Sequence, residues 1–454
     1  MLRRRLGCLT RRALAMLLVL LAVYAFWSPG LTVAHDLADP AIGRPGTPRF
    51  AWRVHRALSP KLQAWARERI ASGRAAYAPL HDVPTTEWPM FSAVFYLMAT
   101  DALEMSWQGG DHTSSEAPAT YAADAIRAAR DLILDPSHHT WVRTHWGDEY
   151  MHRENVFFRA LLIAGLTSYE ELTHDASSLP TLRDEVETLA QDLDRSPRGL
   201  LNDYPGECYP IDVVAAVGFI QRADAVLGTD HRAFFARERR LFSGDLADLH
   251  GLVPYRVSTV TYAREQPSRG VGNSWVSLFV PDLWPEEAGD LYGRYDRAFW
   301  QDHGWAAGFR EYASGSGERE WTAEVDAGPV LDGFGTAASA FGIAGARRNG
   351  RFDEAYTLSA EMLALSWPLP NGTLLAPRAV SHATEAPYLG EAGLLYFMTV
   401  GPRSGLPVKT GGALPRLVWG ALVFYFGVGG SLVFVAWRLV RRRSGPRRGE
   451  AKVT

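Results

Sequence analysis

The chain has 454 residues, 47% of them hydrophobic, and a formal charge of -3, which excludes a disordered or fibrous protein and supplies material for a large core. The charge is uneven: five arginines in residues 1–12 and a net +6 in residues 438–454 leave about -14 for the stretch between them, the difference between -3 overall and +11 at the two ends. An acidic body excludes nucleic acid as a partner, because docking on phosphates needs Lys and Arg on the docking face.

Residues 1–30 hold a basic leader and an apolar run of 15 residues, Ala13–Trp27. This layout fits a secretory signal with a small-residue cleavage site at Thr32-Val33-Ala34, and fits a retained signal anchor equally well. Residues 31–58 contain Pro, Gly and Arg without periodicity and read as a linker or wrapping arm.

From residue 59 to 402 one unit recurs about every 60 residues: a polar or Gly-rich loop, an almost wholly apolar helix, then a more charged helix. The apolar helices open near Phe91, Glu154, Ile211, Trp275, Leu331 and Ala386. Six such helical hairpins predict an all-α domain, an (α/α)6 toroid with the apolar helices as the inner ring. The loops that open those helices then converge on one mouth. Inner helices are expected over 88–107, 152–169, 210–227, 274–283, 329–348 and 386–400. Outer helices are expected over 60–77, 119–134, 181–194, 230–242, 285–300 and 352–367, the first with Ser59 as its cap and Pro60 at its first position. The segment 257–262, Val-Ser-Thr-Val-Thr-Tyr, reads as a short strand or hairpin arm.

Residues 417–437 form 21 consecutive positions without a charge, enough for a transmembrane helix. Arg438 and Arg441–Arg443 open a basic tail, 438–454, which is expected in the cytoplasm. With the basic leader on the same side, the body is expected on the extracytoplasmic, periplasmic face of the cell membrane, with the lipid bilayer as a partner. Gly427, Gly429 and Gly430 offer a second helix a close approach.

The loops at the expected mouth carry the candidates for chemistry. The second concentrates Asp148, Tyr150, His152 and Glu154 at a helix start, where acids also serve as plain caps. The third holds Cys208, Tyr209 and Asp212. A thiolate is favoured at a helix N-terminus, although a buried cysteine is more often inert packing. The fourth, 270–275, reads as a flexible lid with Asn273 and Trp275 toward the substrate. The fifth offers Glu324, Asp326 and Asp332, and the sixth His382 and Glu385. Histidines 138, 139, 145 and 152 match no standard metal spacing, so neither a metal nor another cofactor is expected. Two cysteines, Cys8 in the leader and Cys208, leave the body without an internal disulfide.

Three stretches resemble the linalool dehydratase/isomerase family: Glu154-Asn155 opening a helix that ends in Gly165-Leu166-Thr167-Ser168-Tyr169, the segment from Gly199-Leu200-Leu201 to Asp212, and the exit Leu227-Gly228-Thr229-Asp230. The likeness spans roughly residues 85–400 and marks a divergent member. It implies an (α/α)6 barrel and cofactor-free dehydration or isomerisation of a terpene alcohol in an exported compartment. Where the family carries two active-site cysteines and a histidine, this chain has Asn202, Ile211 and Leu161.

The expected activity is therefore that of a lyase or isomerase acting on a small-molecule alcohol. Asp148 or Asp212 would act as acid, Tyr150 or Cys208 as proton relay, Glu154 as a further acid–base group, and Tyr209, Asn273, Trp275 and Asp326 would contact substrate. Two other readings stay open: a carbohydrate hydrolase, lyase or epimerase using paired carboxylates, and a non-catalytic barrel that binds a ligand. Oligomerisation is open as well.

Overall fold

A computed structural model describes residues 2–239, 246–317 and 320–441. The basic tail beyond Arg441 and the expected end of the 230–242 helix lie outside the described residues. The chain is mostly helical, with a few short strands. Its main helices are α1 (Leu2–Ala22), α2 (Ser28–Leu37), α3 (Arg49–Ser72), α4 (Trp88–Gln108), α5 (Ala123–Leu134), α6 (Val156–Thr173), α7 (Leu179–Arg195), α8 (Pro210–Leu227), α9 (Arg232–Glu238), α10 (Gly270–Leu283), α11 (Pro285–Phe299), α12 (Thr336–Arg348), α13 (Phe352–Leu365), α14 (Leu389–Thr399) and α15 (Arg416–Arg441).

Helices α4, α6, α8, α10, α12 and α14 are apolar on nearly every side, and most of their residues are buried. Such helices must lie between two layers. Each packs on the next, α4 on α6, α6 on α8, and so on to α14, and α14 packs back on α4. The amphipathic helices cover them: α5 lies on α4 and α6, α7 on α6 and α8, α11 on α10, α13 on α12, and α3 on α14 and α5. Helix α8 shows the local logic. Pro210 opens it, where a missing N–H costs nothing, and Gly228 ends it in the left-handed region at φ 66°.

Several boundaries differ from the sequence reading. Residues 31–58 are no aperiodic linker, for most of them belong to α2 and α3. Helix α3 runs through Pro60, and Ser59 donates to the carbonyl of His55 instead of capping. Buried Trp52, Leu58, Leu62 and Trp65 on both sides of the proline hold the helix together against its cost. After the short strands β1 (Arg256–Val257), β2 (Arg264–Gln266), β3 (Trp300–Asp302) and β4 (Ala307–Phe309), residues 328–335 form two more, β6 (Gly328–Leu331) and β7 (Phe334–Gly335), paired antiparallel with each other and, through β6, with β5 (Thr322–Glu324). Gly328, Asp332 and Gly333 all have positive φ, which breaks any helix there and delays α12 to Thr336. The 257–262 segment is mainly the turn of a hairpin between Arg256–Val257 and Arg264–Gln266, because Ser258 Oγ captures the amides of Val260 and Thr261.

Outer helices run toward one end of this arrangement and apolar helices run away from it. The far end is tied by ion pairs: Arg222 holds Asp101 and Glu171, and Arg348 grips Asp282 with bonds of 2.5–2.7 Å.

Helices α1, α2 and α15 lie apart from the main core. Two spans, Leu9–Leu37 and Arg416–Arg441, are long and apolar enough to cross a membrane, and they pack on each other. Val33, Ala360, Ala364, Val418 and Tyr425 form a separate small apolar cluster that fixes both to α13.

Candidate functional site

Four carboxylates meet where the apolar helices begin: Glu87 just before α4, Asp203 in the loop before α8, Asp212 in the first turn of α8, and Asp326 in the β5–β6 turn. They come from the first, third and fifth repeats, so segments far apart in the chain supply them. Burial pushes the Glu87 carboxyl well above its usual range, and the charges of Asp326 and Asp212 push it further. Burial and then Asp326 raise Asp212 to about 8. Asp203 is likewise raised by burial, Asp212 and Glu87, although backbone amides oppose the shift.

The four acids are not equivalent in bonding. Asp203 is structural, accepting from the amides of Phe157 and Tyr209, each at 2.9 Å, and so stitching the third loop to α6. Asp326 accepts the hydroxyl proton of Tyr255. Glu87 is 7% exposed, and its Oε1 has no hydrogen-bond partner among the described residues. The half-buried Asp212 carboxylate makes no ion pair or hydrogen bond with a described side chain either. A buried acid left in this state destabilises the fold, so its presence calls for another reason.

A charged frame surrounds the group. The Arg269 guanidinium donates to Glu311 at 2.7 Å, pairs with Glu324, and lies 4.5 Å from the Tyr255 ring centre. Burial raises Glu311 to about 7 in spite of Arg269. Tyr209 stands edge-on to Tyr255 at 5.3 Å and donates to Glu207 at 2.8 Å.

Below the acids lies an aromatic floor. Trp275 meets Phe279 at 4.8 Å, Phe341 at 5.2 Å, Phe95 at 6.2 Å and Phe91 at 6.4 Å. Phe95 also meets Phe397 at 5.2 Å. These rings come from α4, α10, α12 and α14 and pack the space between those helices.

The structure sorts the residues singled out from the sequence. Asp212, Asp326 and Tyr209 are brought together, and Trp275 lies on the floor. Asp148 is not with them: its side chain is 92% exposed and pairs with Arg143 at 3.1 Å. Tyr150 turns toward α5, where its hydroxyl meets His139 Nδ1 at 2.9 Å while His139 Nε2 donates to the Ile133 carbonyl. Glu154 is committed to Asn202, accepting its backbone and side-chain N–H groups, both at 2.7 Å. Cys208 is fully buried, and burial, with Asp203, Asp212 and Glu154 nearby, pushes its thiol far up, away from the thiolate that a relay or nucleophile needs. Asn273 donates to the carbonyls of Val253 and Arg269 and holds a loop in place.

The expected lid at 270–275 is the buried first turn of α10. A Cβ on Gly270 would sit 1.9 Å from the Arg310 carbonyl oxygen, so this segment is clamped under the strand that crosses it. The histidines at 138, 139 and 152 have separate partners: Arg69 and Asp135, Ile133 and Tyr150, and Asp184. His145 stacks edge-on against Tyr204. Among the described residues no group of three or more His, Cys, Asp or Glu is disposed to hold a metal ion. Reading the sequence missed Glu87, Asp203, Tyr255 and the Arg269–Glu311 pair. The one available signal was an acid at successive outer-to-inner junctions.

Compared with protein-family models and with curated proteins, the sequence matches none.

Proposed function

We propose that the chain is a membrane-tethered (α/α)6 toroid that performs cofactor-free acid–base chemistry on an alcohol, as a lyase or isomerase. The cyclic packing of the six apolar helices supports the toroid, and the resemblance to the linalool dehydratase/isomerase family agrees with it. The observation that carries the activity is a pair of unlike acids at one mouth. Asp212 is raised to about 8 and has no side-chain hydrogen-bond partner among the described residues, while Asp326 takes a hydrogen bond from Tyr255. Two carboxyl groups in different environments divide acid and base roles between them.

In this reading Asp212 is protonated at neutrality and gives its proton to the departing hydroxyl. The C–O bond breaks and water leaves. Asp326 takes a proton from the neighbouring carbon, the C–H electrons form the double bond, and solvent restores both acids. Trp275 and its neighbours give the apolar part of the substrate a hydrophobic seat. The Lys/Arg excess at both chain ends supports cytoplasmic termini and an extracytoplasmic body.

The test is turnover of allylic and tertiary terpene alcohols by the purified full chain, with short glycans assayed beside them. Product from an alcohol, lost in Asp212→Asn by ~100-fold or more and falling in the wild type above pH about 8, is the expected result. Equal rates in wild type and Asp212→Asn remove the proposal. The aromatic packing between the helices favours a second reading, a ligand-binding barrel without turnover, which a thermal shift without product would identify.

A further inference from the structure

The body and its two apolar spans have a fixed relation. Helix α13 runs toward the acid-bearing end and stops just before Trp367. Helix α15 lies along it in the same direction: Thr357 Oγ1 donates to the Ala413 carbonyl at 3.1 Å, and further along Tyr425 Oη donates to the Ala364 carbonyl at 3.0 Å. Helix α2 lies along it in the opposite sense. Gly43 rests on Tyr356, and at the other end the Trp367 indole donates to the Ala25 carbonyl at 2.7 Å. Both spans therefore leave the body at Trp367. Residues 2–24 and 426–441 extend past the end that carries the acids.

The exposed apolar side chains of the body gather at the same end. Trp305, Trp321, Val325, Leu331, Leu365 and Val380 all lie at or beyond the C-terminal end of an outer helix, with Trp321 66% and Val380 60% exposed. At the opposite end the large exposed apolar residues among those described are Met105 and Val408. The acid-bearing hairpin is joined directly to a span. Leu417 donates its amide to the Trp305 carbonyl at 2.8 Å, and the Trp305 ring meets Phe334 at 5.8 Å. Phe334 pairs with Leu331 in the small sheet whose turn holds Asp326.

We infer that the mouth of the helical ring lies against the bilayer, with this apolar rim seated at the boundary between headgroups and acyl chains. Tryptophan and aliphatic side chains suit that boundary, and the rim is continuous with the two spans. Resting on the acid–base reading, the substrate class follows: an amphiphilic alcohol dissolved in the membrane, whose hydroxyl sits at headgroup depth and whose apolar tail stays in lipid. Such a molecule reaches Asp212 and Asp326 without passing through water.

The experiment uses the full chain carrying Cys8→Ser, in which Cys208 stays buried. Single environment-sensitive fluorophores are attached through Val325→Cys, Val380→Cys or Met105→Cys. These sites are exposed, so the substitutions leave the core intact. The labelled proteins are reconstituted in phosphatidylcholine/phosphatidylglycerol vesicles containing nitroxide-labelled lipid. Labels at 325 and 380 should be quenched by the lipid nitroxide and shielded from aqueous iodide, and the label at 105 should behave in the reverse way. Iodide access at 325 and 380 equal to that at 105, without lipid quenching, would overturn the inference. Turnover plays no part, so this outcome is separate from the fate of the acid–base reading.

Discussion

The hydroxyl of Tyr255 donates to Oδ2 of Asp326, joining the loop before α10 to the turn between β5 and β6. Neither residue is near the other in sequence, and the Tyr255 ring is itself held between Arg269 and Tyr209. The bond holds one carboxylate in a fixed orientation at the rim, while Asp212 has no such partner among the described residues. Tyr255→Phe keeps the ring and removes the donor. A hydrogen bond to a charged group contributes ~1.5–3 kcal/mol, so kcat should fall ~10–100-fold with KM nearly unchanged. A variant with wild-type kcat would show that Asp326 needs no positioning.

Stability should depend on pH through Glu87 and Asp212. The Glu87 carboxyl is raised well above 4.5 by burial, then by Asp326 and Asp212, and Asp212 is raised from 3.8 to about 8. A carboxyl raised on folding holds its proton in the native state while the unfolded chain has already released it. Stability is then fully present below the unfolded value and is lost as pH rises through the folded value. The melting temperature should fall from pH 4 to pH 8. Glu87→Gln should flatten that slope and add on the order of 1 kcal/mol at pH 8. A slope unchanged in Glu87→Gln would mean that the carboxyl is ionised and solvated.

The helices were legible because their periodicity is strong: α8 begins and ends where apolar pattern, Pro210 and Gly228 say it does. Glycine misled twice in opposite ways. At Gly270 it permits close packing under Arg310 and looked like a lid; at Gly333 it turns the chain inside what looked like helix. The site was legible only in part. Asp148 and Glu87 are both acids near helix starts, and sequence cannot tell that one meets solvent and Arg143 while the other is enclosed with an unpaired oxygen. Which of these residues come together is set by the packing of helices between repeats, which no local pattern carries.

Cys208 tests whether position at a helix start or burial decides a thiol's chemistry. Four acids, Asp203, Asp212, Glu154 and Glu265, lie near it and solvent does not reach it. Native protein should leave Cys208 unmodified by a thiol reagent at pH 8, with rapid reaction after denaturation. Cys208→Ala should change turnover by less than about twofold and cost about 1 kcal/mol of stability. Fast labelling of the folded protein, or a large loss of turnover, would return Cys208 to the mechanism.

The two spans touch through a glycine on each, Gly30 against Tyr425 and Phe426, and Gly429 against Trp27. A Cβ on Gly429 would lie 2.3 Å from the Trp27 indole nitrogen, whereas one on Gly427 or Gly430 would meet nothing. The same indole donates to the Phe426 carbonyl at 3.4 Å, and Phe26 meets Phe424 at 5.9 Å. In lipid, where apolar burial gives no drive for association, small residues let helices gain packing contacts. Gly429→Leu should therefore separate the pair by overpacking, at a cost of ~1–3 kcal/mol, and Gly427→Leu should leave it intact. Oxidative cross-linking of Phe26→Cys with Phe424→Cys, in a Cys8→Ser background in vesicles, reads the separation directly. The yield should drop with Gly429→Leu and hold with Gly427→Leu. Equal yields in the two variants would show that the spans are held by the body at Trp367 and not by each other.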